Sequence, residues 1–329
     1  MAKKKEEDAL SAIGDMYAKY NKTQSVYNPP KKGEEIDPKA ERFKTPFLSF
    51  DRHLGGGPSR GKITTYSGMF STGKTSLALA HGKANPDAVI GMVDAEYNWD
   101  DASYLWVEKN FGIERERIHV LQPTWLEEGA EMVEDLCNVC DIVLFDGFDM
   151  IAPKGEFEAS MEANSMGLAA RAYKKFFRRS MGKISKSRAA LIITNHLYEN
   201  IGNVYEPFKE PGGKSIGDYA SQKLFLTRGN VRDTDKKIIG QEVRCSINKD
   251  KLTGNRGTTF NLPYDNKKGF LFENDILNVA VDLGIVNKAG SWYNYEDTKL
   301  GQGAINASVL LGDNPELTEE IVERCKKLF

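Results

Sequence analysis

Long apolar runs and secretory features are absent from this 329-residue sequence. No stretch approaches the roughly 18 consecutive apolar residues that a membrane-spanning helix needs. The chain starts with Met-Ala-Lys-Lys-Lys-Glu-Glu, and no apolar segment of the kind found in secretory signals follows. With 40% apolar and 28% charged residues, the composition is that of an ordinary globular protein. These features predict a cytoplasmic protein, with the nucleus as the alternative.

Cysteine is scarce as well, with four residues in the chain. Cys137 and Cys140 form a Cys-x-x-Cys pair within a helical pattern that runs from 127 to 140. A structural zinc site needs a second pair of ligands at suitable spacing, and none follows in the sequence. We therefore predict that these two cysteines are buried free thiols and not metal ligands.

Acidic residues are missing from one long segment, 166–190, in a chain whose net charge is −2. The cations of this segment are Arg171, Lys174, Lys175, Arg178, Arg179, Lys183, Lys186 and Arg188. The spacing of the first four places them on one face of a helix. Because like charges repel unless an anion lies against them, this helix is predicted to contact nucleic acid. A solvated surface is the alternative.

Residues 68–75 (Gly-Met-Phe-Ser-Thr-Gly-Lys-Thr) fit the phosphate-binding pattern Gly-x-x-x-x-Gly-Lys-[Ser/Thr]. A predicted strand, 62–67, precedes the loop and a predicted helix follows it from residue 76, which is the order that such a loop requires. Lys74 would reach the β- and γ-phosphates and Thr75 would hold Mg²⁺, while backbone N–H groups surround the anion. The nucleotide contacts are assigned to Gly68, Phe70, Ser71, Thr72, Gly73, Lys74, Thr75 and Ser76.

Four short apolar runs follow the loop, at 88–96, 117–121, 141–146 and 189–196. Their alternation with helical segments predicts a doubly wound, mainly parallel α/β sheet. Ligands bind at the carboxyl ends of the strands in such sheets. The polar residues expected to converge on the phosphate loop are Asp94, Glu96, Asp146, Asn195 and His196. Three later runs, 223–226, 242–248 and 258–262, are predicted to extend the sheet in antiparallel fashion.

The domain pattern has three parts. Residues 1–40 hold an amphipathic helix, 8–20, and a polar linker, 21–38, that contains Pro29, Pro30 and Pro38. The helix either folds back on its own core or docks on a neighbouring subunit. Residues 41–269 form the nucleotide-binding core. Residues 270–329 are predicted to form a small separate α+β domain built largely of short helices.

The acidic strand ends predict hydrolysis as well as binding. Asp146 would hold Mg²⁺ together with Thr75. Glu96 is preferred to Asp94 as the group that orients the attacking water and accepts its proton. His196, beside Asn195, would contact the γ-phosphate, and a buried structural histidine is the alternative.

Two irregular segments, 152–165 and 197–213, are long enough to be functional loops. The second interleaves Tyr198, Tyr205 and Phe208 with Lys209, a mixture suited to stacking on single-stranded bases beside a phosphate contact. Lys249 and Lys251 form a close cationic pair, which either serves a neighbouring subunit's nucleotide or lies on the plain surface. Because residues 248–251 lack the final Asp of the guanine-reading Asn-Lys-x-Asp motif, GTP is disfavoured.

From about residue 45 to its C-terminus, the chain resembles the RecA family of DNA strand-exchange recombinases. The most specific matching motifs are Met-Gly-Leu-Ala-Ala-Arg at 166–171 and Ala-Gly-Ser-Trp-Tyr at 289–293. The other matching segments are 68–75, 93–96, 212–220, 248–251, 281–284, 301–303 and 313–315.

The resemblance implies a RecA-like P-loop ATPase core in which Lys74, Glu96, His196, Lys249 and Lys251 serve catalysis. It implies that Lys249 and Lys251 cross a filament interface, and that the N-terminal helix packs on the adjacent protomer. Asp100 and Tyr104 would contact the nucleotide, and the aromatic that contacts the adenine would be Tyr104 or Trp106. The DNA contacts that it implies are Met166, Arg171, Lys175, Tyr198, Tyr205, Phe208, Lys209, Gly212 and Gly213.

Some residues depart from the bacterial pattern. His196 stands where bacterial RecA has a glutamine that senses the γ-phosphate, and residues 195–199 are similar to T4-type phage recombinases. Gly217 and Asp218 replace a Lys-Phe pair of the bacterial filament interface. Ala304 stands where a lysine is common, which weakens the assignment of the C-terminal domain to duplex capture. The mixture suggests a phage-encoded or divergent member of the family, which would act in a bacterial cytoplasm or a phage-infected host cell.

The predicted function is that of an ATP- and Mg²⁺-dependent recombinase that forms filaments on single-stranded DNA and pairs it with homologous duplex, in recombination and repair. Its expected partners are both forms of DNA, further copies of itself and a single-strand-binding protein. The alternatives are a hexameric RecA-fold helicase and a recombination mediator that does not hydrolyse ATP. Lys74, Thr75, Glu96 and Asp146 together argue against the mediator.

Overall fold

The computed structural model describes residues 41–159, 167–200, 208–211, 215–232 and 238–329. The predicted helix 8–20 and linker 21–38 therefore lie outside the described residues, as do Met166, Tyr205, Gly212 and Gly213. Within the described ranges, no helix is both long enough and apolar enough to cross a membrane.

A parallel sheet positions the phosphate loop. Its strands are β1 (Ile63–Gly68), β2 (Ile90–Asp94), β3 (Ile118–Leu121), β4 (Ile142–Asp146) and β5 (Ala190–His196). They lie in the order β1-β5-β4-β2-β3, and each neighbouring pair is parallel. Every residue of β1, β2, β4 and β5 is buried, as expected of parallel strands covered on both faces. The predicted parallel core is confirmed.

Further strands extend the sheet beyond β1. A short hairpin, β6 (Tyr198–Glu199) with β7 (Phe208–Lys209), comes first along the chain and stands apart from the sheet. The extension consists of β8 (Gln222–Arg232), β9 (Ile238–Asp250), β10 (Thr259–Asp265) and β11 (Gly269–Phe270). Because β8 runs parallel to β1, the predicted antiparallel pairing begins between β8 and β9.

Helices cover both faces of the sheet, as the doubly wound prediction requires. The helices of the core are α1 (Leu48–Leu54), α2 (Lys74–Lys83), α3 (Asp101–Phe111), α4 (Leu126–Val139), α5 (Lys154–Phe157), α6 (Leu168–Ser187) and α7 (Ser215–Tyr219), with a 3₁₀ turn at Arg115–Arg117. Leu77 of α2 and Val107 of α3 belong to one buried apolar cluster. Val133 of α4 and Phe177 of α6 belong to a second cluster.

The C-terminal part has an apolar cluster of its own. Its elements are α8 (Phe272–Asp282), β12 (Asn287–Ala289), β13 (Trp292–Tyr295), β14 (Thr298–Gln302), α9 (Ala304–Asp313) and α10 (Pro315–Lys326). The strands form an antiparallel sheet, which confirms the predicted α+β class of this part, although the sequence had located only its helices. Leu48 of α1 joins this cluster, and the Ser49 N–H donates to Asp275 Oδ2 at 3.0 Å. The boundaries 1–40, 41–269 and 270–329 stay a prediction.

The Cys137 and Cys140 thiols are buried and form no disulfide, which confirms their predicted burial. Burial raises the pKa of Cys137 to about 12 and that of Cys140 to about 11. Because the thiolate is the reactive and metal-binding form, both thiols are unreactive at neutral pH.

His81 of α2 makes stability depend on pH. Its Nε2 atom lies 2.8 Å from the Tyr66 hydroxyl, and complete burial lowers the pKa of His81 to about 3. An exposed histidine of the unfolded chain titrates near pH 6.5, so the unfolded state takes up this proton first as the pH falls. The stability linked to neutral His81 is therefore complete above that pH and is lost progressively below it.

Replacing His81 with glutamine, which does not titrate, tests this dependence. Between about pH 6.5 and pH 5 the free energy of unfolding should fall by about 1.6 kcal/mol more in the wild type than in His81→Gln. The measurement is urea unfolding of both proteins at both pH values. Asp146 and Asp275, whose pKa values burial raises to about 6, act in both proteins and cancel in the difference. An equal fall in the two proteins would refute the assignment.

Candidate nucleotide-binding and hydrolysis site

The phosphate loop joins the end of β1 to the start of α2. A Cβ atom on Gly68 would lie 2.5 Å from Thr72 Oγ1 and 2.7 Å from the Leu226 carbonyl oxygen, so this position requires glycine. Gly73 has a φ of +83°, and Ser71 also adopts the left-handed region with a φ of +56°. The loop therefore turns sharply before α2, which directs the helix N-terminus toward the loop interior.

Lys74, the first residue of α2, folds back over the loop. Its Nζ atom donates to the carbonyl oxygens of Gly68 at 3.2 Å and Met69 at 3.0 Å. Burial lowers the pKa of Lys74, and nearby carboxylates oppose this shift. These carboxylates belong to Glu96, Asp146 and Asp149.

Thr75 and Asp146 meet at the carboxyl edge of the sheet. The Thr75 hydroxyl lies 2.9 Å and 2.8 Å from the two Asp146 carboxylate oxygens, and the Thr194 hydroxyl donates to the same carboxylate at 2.6 Å. Burial raises the pKa of Asp146 to about 6. A hydroxyl beside a buried carboxylate is the oxygen donor set that suits Mg²⁺ bound with a nucleotide. The structure thus brings the two predicted metal ligands together.

Glu96 lies just beyond β2, which ends at Asp94 and not at Glu96 as the sequence suggested. Its Oε2 atom accepts from Asn98 Nδ2 at 3.1 Å, and its side chain is 23% exposed. A Cβ atom on Gly147 would lie 2.5 Å from Glu96 Cγ, so the glycine after Asp146 makes room for this side chain. Glu96 is thus held near the metal ligands while its carboxylate remains accessible.

Asp94 has a different environment. It is buried, and its carboxylate accepts from the backbone N–H groups of Glu96 and Trp99 and from Gln122 Nε2, each at 3.0–3.1 Å. These bonds use the carboxylate to hold the segment after β2. The geometry therefore favours Glu96 over Asp94 as the group that faces water.

A cavity of about 510 Å³ opens beside Thr75 and Asp146. Its walls include Ser76, Asp94, Glu96, Trp99, Asp100, Trp106 and Val107. Asp100 caps α3 by accepting from the Ser103 N–H at 2.9 Å, and this bond lowers the pKa of Asp100. Tyr104 packs edge-on against Trp99, with ring centroids 5.2 Å apart. Of the two aromatic residues predicted to contact the adenine, Trp106 lines this cavity, whereas Tyr104 packs against Trp99, which is itself part of the cavity wall.

His196, at the end of β5, lies between two carboxylates. Its Nε2 atom is 3.8 Å from Glu96 Oε1, and its Nδ1 atom is 3.2 Å from Asp149 Oδ2. The Phe70 ring packs against the imidazole with centroids 4.8 Å apart. Asn195, next to it, is buried with both side-chain polar atoms unpartnered among the described residues.

Sequence reasoning missed two acidic residues near the site. Asp149 contacts His196, and Glu210 accepts from the Ser67 hydroxyl at 2.6 Å while pairing with Lys223. Neither residue ends a strand or belongs to a motif. The signal available for Asp149 was the presence of an acid three residues after Asp146. The signal for Glu210 was an acidic residue within segment 197–213, beside its aromatic residues and Lys209.

The residues predicted to contact DNA occupy two places in the described chain. Tyr198, Phe208 and Lys209 lie on the β6–β7 hairpin, so the described part of segment 197–213 contains two short paired strands. Arg171 and Lys175 are exposed on α6.

The basic helix is partly neutralised within its own chain. Arg179 Nε lies 2.7 Å from Glu134 Oε1, Lys183 also pairs with Glu134, and Arg188 pairs with Glu41. These three cations therefore need no external anion, contrary to the expectation for the whole segment. The other five are exposed and have no ion pair among the described residues: Arg171, Lys174, Lys175, Arg178 and Lys186.

Lys249 and Lys251 lie near the opposite end of β1. Lys249 Nζ contacts the carbonyl oxygens of Gly217 and Asp218, and burial together with the charges of Lys251 and Lys223 lowers the pKa of Lys249 to about 8. The Lys251 N–H donates to Ser221 O. The Ser221 N–H in turn donates to the oxygen of Ile63, the first residue of β1.

A glycine-rich phosphate loop, paired metal ligands and an accessible carboxylate at one sheet edge define a P-loop nucleoside triphosphatase. The family model of the RecA N-terminal domain matches residues 7–267, and that of the RecA C-terminal domain matches residues 274–329. The chain belongs to the RecA family, as the resemblance predicted. Members of this family are DNA-dependent ATPases that use ATP with Mg²⁺, bind single-stranded and duplex DNA, and form helical filaments for strand exchange.

Curated relatives agree with the family models. Protein RecA of Rhodopirellula baltica is 33% identical over 290 residues, covering 86% of this chain and 76% of the relative. Protein RecA of Clostridium tetani is 32% identical over 337 residues, covering 100% and 93%. Protein RecA of Clostridioides difficile is 30% identical over 331 residues, covering 98% and 93%.

Proposed function

We propose that this chain assembles on single-stranded DNA into a filament in which each ATP is enclosed between two subunits, and that the filament pairs its strand with homologous duplex. The observation that carries the proposal is the pairing of Thr75 with Asp146 beside Glu96 and His196. Lys74, Thr75 and Asp146 would hold the nucleotide and its metal. Bound Mg²⁺ would draw negative charge from the phosphates.

The side chains at this edge have separate tasks in hydrolysis. Glu96, which is partly exposed, orients a water molecule and accepts its proton. Lys74 Nζ exchanges its two carbonyl partners for phosphate oxygens. His196 senses the terminal phosphate from the end of β5, next to the hairpin that carries Tyr198 and Phe208.

Lys249 and Lys251 support a site shared between subunits. The phosphate loop follows the carboxyl end of β1, whereas Lys251 is bonded through Ser221 to the amino end of the same strand. A six-residue strand separates its ends by about 17 Å. Because that distance exceeds the reach of a lysine side chain, the pair suits a neighbour's nucleotide better than its own.

ATP hydrolysis with and without single-stranded DNA, followed by electron microscopy, tests the proposal. DNA should stimulate hydrolysis, and ATP with DNA should yield open helical filaments. Absence of both would refute it. Closed rings that unwind duplex would support the helicase alternative, and DNA binding without hydrolysis would support the mediator.

The α6 face is expected to contact DNA phosphates. Replacing Arg171 and Lys175 with alanine should weaken binding and reduce the slope of log affinity against log salt by about 0.7 for each phosphate that is no longer neutralised. Fluorescence anisotropy of labelled single-stranded DNA at several salt concentrations measures both quantities.

Arg179→Ala provides the matched control on the same helix. Since its guanidinium is paired with Glu134, the change should lower the free energy of unfolding and leave the salt slope unaltered. An unaltered slope in Arg171→Ala/Lys175→Ala would remove this face from the DNA interface.

A further inference from the structure

Asp149 has no role in the proposed mechanism, yet it contacts two residues that do. It lies three residues after Asp146, beyond the end of β4. The Phe148 N–H donates to the Thr194 carbonyl oxygen at 3.1 Å. The segment after β4 is therefore bonded to β5, and this bond places Asp149 against the end of that strand.

The Asp149 carboxylate is fully buried, with 0% of its side chain exposed. The His196 backbone N–H donates to Oδ1 at 3.0 Å, and His196 Nδ1 lies 3.2 Å from both carboxylate oxygens. The Tyr198 hydroxyl donates to Oδ2 at 3.3 Å. One buried carboxylate thus contacts both the residue that faces Glu96 and the first residue of the β6–β7 hairpin.

These contacts determine how the imidazole is protonated. A carboxylate has acceptor oxygens only, so the contact at Nδ1 requires a proton on that nitrogen. The hydrogen bond made by one ring nitrogen fixes the role of the other. Nε2 is then the nitrogen that faces Glu96, at 3.8 Å. Phe70 packs against the ring and restricts its rotation.

We propose that Asp149 is a positioning residue that holds His196 with its Nδ1 protonated and its Nε2 toward Glu96, and that ties this orientation to Tyr198. The proposal rests on the proposed function and names the link by which the nucleotide site and the DNA-contacting hairpin affect each other. The physical reason is that one carboxylate holds both side chains. A displacement of the His196 ring must therefore stretch or break the bond to Tyr198.

The ring protonation can be measured without DNA or activity. The chain has four histidines, so ¹⁵N-labelled histidine gives few resonances, and the His196→Gln variant assigns those of His196. Wild-type protein should show a proton on Nδ1 of His196. In Asp149→Asn, whose amide can present a donor, the proton should move to Nε2. A wild-type ring that carries its proton on Nε2 alone overturns the proposal, even if the variant does not fold.

The link to DNA is measured as the ratio of ATP hydrolysis rates with and without single-stranded DNA. Asp149→Asn should lower this ratio roughly tenfold, the order expected from losing a charge-assisted hydrogen bond. Tyr198→Phe should lower the ratio in the same direction and leave the His196 resonances unchanged. Asp135→Asn, an exposed aspartate on α4, is the matched control and should change neither quantity.

The outcomes separate this inference from the proposed function. If wild-type hydrolysis does not respond to DNA, the proposed function fails, and the histidine resonances still report on Asp149. If the wild type responds and Asp149→Asn retains both its ratio and its Nδ1 proton, the positioning role of Asp149 is refuted. A shifted proton with an unchanged ratio refutes the link to Tyr198.

Discussion

Replacing Lys74 with alanine is expected to reduce ATP hydrolysis by about a thousandfold, through loss of the cation that stabilises the transferring phosphoryl group. In the structure, Lys74 Nζ lies within the phosphate loop and is bonded to two loop carbonyl oxygens, so no other amine among the described residues occupies this position. Nucleotide affinity should fall as well, because the β- and γ-phosphates lose their charged partner. Steady-state hydrolysis and binding of a fluorescent ATP analogue measure the two effects.

Lys62→Ala is the matched control for this change. Lys62 lies directly before β1, at the other end of the strand that carries the loop. Lys62→Ala changes the net charge by the same amount as Lys74→Ala. It should leave the hydrolysis rate within about twofold of the wild type, as expected of a residue without a role in the transition state. Hydrolysis by Lys74→Ala at a rate near that of the control would show that the loop is not the catalytic phosphate site.

Replacing Glu96 with glutamine should lower the hydrolysis rate by about a hundredfold to ten-thousandfold, the range for loss of a general base. The amide keeps the shape of the side chain and its contact with Asn98 but cannot accept a proton from water. ATP binding should persist, because no part of the phosphate loop changes. The Glu96→Gln filament should therefore form and fail to disassemble, and rapid-quench measurement of single-turnover hydrolysis isolates the chemical step.

Two comparisons sharpen that experiment. Glu108→Gln, on the exposed side of α3, should hydrolyse ATP at the wild-type rate. Asp94→Asn should instead lower the free energy of unfolding, because it disturbs the bonds that hold the segment after β2. Full-rate hydrolysis by Glu96→Gln would transfer the role of general base to another residue.

Local sequence patterns were sufficient for the parts of the site that depend on local structure. The sequence of residues 68–75 predicts a phosphate-binding loop because such a loop needs glycine at fixed spacing. Asp146 and His196 stand out because each follows an apolar run, and the carboxyl ends of parallel strands share one edge. The pairing of Thr75 with Asp146 follows from these two rules together.

Contacts between distant segments were not accessible in this way. Asp149 reaches His196 because the Phe148 N–H is hydrogen-bonded to β5. Glu210 lies at the site because it accepts a hydrogen bond from Ser67, which is 143 residues earlier in the chain. The choice between Tyr104 and Trp106 depends on which side of α3 faces the cavity. Arg179 and Lys183 lie in a segment without acidic residues, and the sequence does not show that both pair with Glu134 of α4. Each of these facts depends on packing between elements, which periodicity does not encode.

In the proposed filament, one subunit supplies the phosphate loop and Glu96 while its neighbour supplies Lys249 and Lys251. Mixing two inactive variants, Glu96→Gln and Lys251→Ala, tests it most directly. In mixed filaments on single-stranded DNA, about one quarter of the interfaces join an intact Glu96 to an intact Lys251 across a heterologous contact. We predict that the mixture regains hydrolysis in proportion to those interfaces, and a mixture as inactive as its two components would contradict the shared site.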